Sequence, residues 1–126
     1  MSREENTRPE LKGLILEGTK TIEQFQNEVL RPILKMKHTL FVSFFSDYLK
    51  KRKIPFSEIT LNQQEKHIDT ILSKDIGYKN LQLGIVTGQL SLEEYSFYRD
   101  NTSELNKRIL QMLRKRLKDS IQEIIK

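Results

Sequence analysis

The stretch Ile33-Leu-Lys-Met-Lys-His-Thr-Leu-Phe-Val-Ser-Phe-Phe-Ser-Asp-Tyr-Leu49 decides the fold class. Its apolar residues Ile33, Met36, Leu40, Phe41, Phe44, Phe45, Tyr48 and Leu49 recur every three or four positions. That spacing gathers side chains on one side of an α-helix, whereas a half-buried strand would alternate with period two. The apolar sector is wide, which predicts a helix in the middle of a bundle that touches several neighbours. Lys50-Lys-Arg-Lys53 follows, and cations suit a helix C-terminus because its unpaired carbonyls carry partial negative charge. Ile54-Pro55 then breaks the pattern.

Working outward, the same logic repeats on both sides. Thr21 with Gln24 has the spacing of a capping box and opens a helix carrying Ile22, Phe25, Val29 and Leu30. Pro32 lacks the amide that would bond four residues back, so the central helix is expected to kink or restart there. Further back, Thr7, Pro9 and Glu10 predict a helix start, with Leu11, Leu14 and Ile15 on one side and a stop at Gly18. Towards the C-terminus, Thr60 with Gln63 caps a helix reaching about Lys74, and Asp75 caps Ile76 to Thr87 before Gly88. Ser91 with Glu94 opens a short helix, and Glu104 to about Ile124 reads as one last helix with Leu105, Ile109, Met112, Leu113, Leu117, Ile121 and Ile124 inward. Leu81-Gln-Leu-Gly-Ile85 alternates, but no partner strand or hairpin signal accompanies it. The expectation is an all-α single domain over residues 1–126, a bundle of about five to six helices.

Composition bounds the chemistry. The chain has no cysteine, which removes disulfides, thiolate metal sites and thiol nucleophiles. The first eight residues contain no apolar run of the kind a secretory signal needs, and no stretch approaches the roughly 20 apolar residues of a membrane span. A cytoplasmic protein with no membrane association is therefore expected. The net charge of +5 is compatible with acidic partners without requiring them.

Candidate functional residues are few. His38 and His67 have no second ligand at metal-binding spacing and read as surface or core-margin residues, so no metal or cofactor is predicted. Lys37 falls among Ile33, Leu40, Phe41 and Phe44 on a helical wheel. A lysine there is either a buried functional charge or one whose methylenes pack while its ammonium reaches water. Arg116 is the parallel case on the last helix, able to form an ion pair or hold a carboxylate or phosphate with both arms of its fork. Lys107, Arg108, Arg114, Lys115 and Lys118 form a basic stripe on the opposite face, either a solvated surface or a contact for phosphates or an acidic partner. Gly77, Gly84 and Gly88 share one sector of their helix and read as a site of close helix approach.

The run Thr21-Ile-Glu-Gln-Phe-Gln-Asn-Glu-Val-Leu-Arg-Pro-Ile-Leu-Lys35, with Lys74-Asp75-Ile76, Gly88-Gln-Leu-Ser-Leu-Glu-Glu-Tyr95 and Leu105-Asn-Lys-Arg108, resembles a family of small helical bacterial proteins best known from Bacteroidetes genomes. The resemblance implies a helical fold and a cytoplasmic location, and some members of that family carry the label "glyoxalase". Glyoxalase I enzymes use βαβββ modules with His and Glu metal ligands, and glyoxalase II a histidine-rich zinc motif; this chain has neither pattern. The leading expectation is a non-enzymatic interaction protein that self-associates as a homodimer through its apolar surplus. The alternatives are binding of nucleic acid or an acidic partner by the basic stripe, and a small ligand-binding or glyoxalase-labelled enzyme with a pocket near Lys37.

Overall fold

A computed structural model describes residues 21–126. Among these residues every regular element is helical. Helix α1 (Ile22–Phe25) runs through a π-helical turn (Gln26–Leu30) into α2 (Arg31–Met36), and α3 (His38–Lys51) follows after Lys37. A 3-10 turn (Phe56–Glu58) leads to α4 (Leu61–Lys74) and α5 (Ile76–Thr87), then α6 (Leu92–Asp100), α7 (Thr102–Asp119) and α8 (Ile121–Ile124). The expected helix around Pro9 to Glu17, with its Thr7 cap, lies outside the described residues. No helix of the described residues is long and apolar enough to cross a membrane.

Local chemistry explains most of the starts. Thr21, Thr60 and Ser91 each close a complete capping box with Gln24, Gln63 and Glu94, satisfying amides that the first helical turn leaves without partners. Asp75 caps α5 through the Tyr78 amide at 3.0 Å. Pro32 stands in the first turn of α2, so the helix restarts there as the sequence suggested. A proline ring clashes with the carbonyl four residues back, and the widened π turn occupies that stretch, with the Arg31 amide bonding Gln26 five residues back.

Two ends depart from the sequence reading. The last helix is not continuous to Ile124: it breaks at Ser120, whose backbone bends before α8. The C-terminus of α3 is a Schellman motif without its usual glycine. Lys53 adopts φ 56°, its amide bonding Lys50 and that of Ile54 reaching back to Leu49.

Helix α7 holds the axial position expected of the central segment, packing against α4, α5, α6 and the π turn. Its Leu105, Ile109, Leu113 and Leu117 are buried, and α3 contributes Phe41, Phe45 and Leu49 to the same core. Phe45 anchors an aromatic cluster, with Phe56 and Tyr78 edge-on at 5.8 and 6.2 Å and Tyr48 stacked at 6.5 Å. The apolar surplus of α3 and α7 is thus largely consumed within one chain. Leu40 of α3 remains exposed, as do Leu61, Ile76, Leu81, Leu92 and Tyr95 on other helices.

Candidate functional site: a basic groove between α2 and α7

Arg31 and Lys35 are spaced by four residues and rise on one side of α2, and His38 at the start of α3 lines the same groove. Facing them, α7 presents Gln111, Met112, Lys115, Arg116 and Asp119. The two sets line a groove of about 800 Å3, with Leu34, Pro32 and Met112 as apolar surface and Asn27 and Ser120 completing it. Such a volume lies within the range of small-molecule sites, which combine apolar walls with a few convergent polar groups.

The charges in this groove are unevenly paired. Lys115 Nζ lies 3.0 Å from Asp119, and Arg31 Nε donates to Asn27 Oδ1 at 2.8 Å. Arg116 has no carboxylate partner among the described residues; its Nη1 donates instead to His38 Nδ1 at 3.2 Å. His38 Nε2 lies 3.0 Å from Glu123 Oε1. Because a guanidinium can only donate, Nδ1 accepts, and the proton sits on Nε2 where it is given to Glu123. The ring thus bridges α7 to α8. Four cations of the groove face a single lining carboxylate, so the site carries an excess of positive charge.

The structure distributes the sequence-predicted residues differently from the wheel. Lys37 is half-buried and sits in the break between α2 and α3, with backbone angles of φ −98° and ψ 15°. It is not among the residues that line the groove, and the break interrupts the continuous wheel that placed Lys37 among apolar residues. Arg116 is half-buried and is the cation that enters the groove. The basic stripe is divided between two sides of α7. Arg114 and Lys118 turn to α4, with Ser73 at 2.8 Å and Asp69 at 3.0 Å from their respective ends. Arg108 bonds Glu104 and, across to the π turn, Gln26, both at 2.8 Å. Lys107 is exposed, and of the stripe Lys115 alone borders the groove.

His67 packs edge-on to Phe56 at 6.5 Å, a structural placement. The glycines of α5 do not mark close helix approach: a Cβ at Gly84 would meet nothing within 4 Å, and at Gly77 the nearest atom is the Asp75 carboxylate at 3.6 Å. No group of three or more potential metal ligands occurs among the described residues.

A second polar cluster joins the end of α3 to the start of α5. Tyr48 donates to Asp75 Oδ2 at 2.6 Å, Arg52 approaches the same oxygen at 3.4 Å, and the guanidinium lies 3.9 Å over the Tyr48 ring. The Tyr48 bond and then the Tyr78 amide hold the Asp75 carboxyl below its ordinary range. Burial first, and then the bond to Asp75, pushes the Tyr48 phenol up. Tyr78 beside it is also raised, chiefly by burial. All the acceptors here are engaged in fastening helix ends, which leaves the α2–α7 groove as the candidate site.

Missed by the sequence reading were Arg31, Lys35 and the partnership of His38 with Arg116. The first two are four apart on one helix, a signal present in the sequence. Arg116 lies 78 residues from His38 along the chain and only packing brings them together. Comparison with known proteins gives no match to a family model, a curated protein or a solved structure.

Proposed function

We propose that this protein is a binding domain that holds an anionic small molecule in the groove between α2 and α7. The observation that carries this reading is Arg116: a half-buried guanidinium on the groove wall with no carboxylate beside it among the described residues, bonded instead to the His38 imidazole. A guanidinium fork matches carboxylate, phosphate and sulfonate oxygens, and Lys35 and Arg31 on the facing wall supply further donors. The apolar surface of Leu34, Pro32 and Met112 favours a ligand with an acidic head and a hydrophobic or flat body.

The test is a titration followed by amide chemical shifts, using naphthalene-2-sulfonate and phenyl phosphate as probes. Saturable shifts should map to residues 27–38 and 111–120. Arg116→Gln should weaken binding by about tenfold or more, the scale of a charged hydrogen bond. Shifts that fail to saturate at roughly 10 mM probe, a Kd too weak to matter, rule the site out.

Self-association is the second reading, favoured by a different surface from the one the sequence suggested. Ile76 and Leu81 stand exposed on α5 beside Gly77 and Gly84, and Leu92 is 86% exposed at the start of α6. A glycine-lined helix face lets another backbone approach closely. Light scattering showing a dimer that Leu81→Lys dissociates supports this reading; a monomer at tens of micromolar, ordinary for a weak contact, removes it.

A further inference from the structure

We infer that anion binding in the α2–α7 groove takes up a proton at His38, which turns from the acceptor of Arg116 into a donor to the bound ligand. The inference rests on the groove reading and adds the coupling that regulates it. His38 Nδ1 is held by Arg116 at 3.2 Å and Nε2 by Glu123 at 3.0 Å. An anion that takes the guanidinium leaves Nδ1 without its donor, next to new negative charge. The ring then binds one proton from solvent at Nδ1. It donates there to the ligand and continues to donate from Nε2 to Glu123, so imidazole, proton and anion close as a charge-balanced set.

The surrounding charges decide when this happens. Arg31 and Lys35 on α2, and Lys115 and Arg116 on α7, oppose a positive ring, while Asp119 on α7 and Glu123 on α8 favour it. The cations outnumber the acids, and in the Arg116 bond Nδ1 is the acceptor. An incoming anion cancels part of that repulsion, and histidine is the side chain whose charge changes most readily near neutral pH. Ser120, the break between α7 and α8, is buried against the groove, and its hydroxyl carries no charge to alter this balance.

Naphthalene-2-sulfonate is the suitable probe because its charge is fixed across the neutral range, so any proton exchanged belongs to the protein. Calorimetric titration at about pH 7.5 in triethanolamine and in Tris, cationic buffers whose ionisation enthalpies differ, should reveal uptake of a fraction of a proton. Affinity should rise as pH falls, by at most tenfold per unit for one linked proton, and level off once the ring is protonated in the free protein. His38→Gln should still bind, with no proton exchanged and a flat pH profile. Nitrogen chemical shifts of the wild-type ring should pass from the Nε2–H tautomer to the doubly protonated form on saturation. Binding with buffer-independent enthalpy, or uptake that persists in His38→Gln, overturns the inference while leaving the groove as a site. Absence of any wild-type binding to the groove overturns both.

Discussion

Replacing Lys53 by glycine should leave the protein more stable than replacing it by alanine, although glycine deletes one atom more of the side chain. Lys53 stands at φ 56°, in the left-handed region, as the turning residue of the Schellman motif that ends α3. Its amide bonds Lys50 at 3.1 Å, and the Ile54 amide bonds Leu49 at 3.0 Å. A residue with a Cβ costs about 1–2 kcal/mol in this conformation. Glycine removes that cost but gives back roughly 0.5–1 kcal/mol through its greater freedom in the unfolded chain. Losing a cation beside the helix C-terminus subtracts about 0.3–1 kcal/mol more, which Lys53→Ala isolates because alanine lacks the charge yet keeps the Cβ. The Gly variant should therefore exceed the Ala variant by about 0.5–1 kcal/mol. For a chain of this size that is a difference in Tm of roughly 2–4 °C. Urea and thermal denaturation followed by far-ultraviolet circular dichroism measure it directly. A Gly variant no more stable than the Ala variant would mean that Lys53 is not held left-handed in solution, and the reasoning fails.

Gly84→Ala should stabilise by about 0.5–1 kcal/mol, since the added Cβ meets nothing within 4 Å and alanine is the better helix former; destabilisation, or loss of a dimer, would show that another helix covers this face. Phe45→Ala should cost about 3–5 kcal/mol in chemical denaturation, because the side chain is fully buried among Tyr48, Phe56 and Tyr78; a loss below half of that would contradict the tight packing of the cluster. The Tyr48–Asp75 bond ties stability to pH at both extremes. Asp75 is lowered in the folded state, so its contribution is present above the ordinary carboxylate range and is lost as pH falls through the folded value. Tyr48 is raised, so its contribution is complete below about pH 10, the ordinary phenol value, and is lost as pH rises through the folded value. Stability measured against pH should flatten at both ends in Tyr48→Phe; a mutant profile parallel to wild type would exclude the linkage.

What could be read before folding was whatever is settled within a few residues. Thr21, Thr60, Asp75 and Ser91 start helices because each cap reaches an amide three positions on, a distance the local chain fixes by itself. The apolar periodicity of Leu105, Ile109, Leu113 and Leu117 likewise announced a buried face. The breaks at Lys37 and Ser120 carry no proline or glycine, so no local signal marks them. The Lys37 break shows why a wheel drawn through it misplaces the residue.

The site divides along the same line. Arg31 and Lys35 share a face by helical geometry, and the sequence alone determines that they stand together; His38 lies beyond the Lys37 break and joins them only in the folded chain. Which cations are neutralised is a matter of Coulomb partners far away in the chain: Asp69 takes Lys118 at 3.0 Å across 49 residues, while Arg116 meets His38 across 78 and finds no acid among the described residues. Local bonding and side-chain periodicity thus determined the helices and their inward faces. Only tertiary packing decided where one charged groove is left open, because electrostatic pairing depends on separation in space and falls off too quickly to be read from separation along the chain.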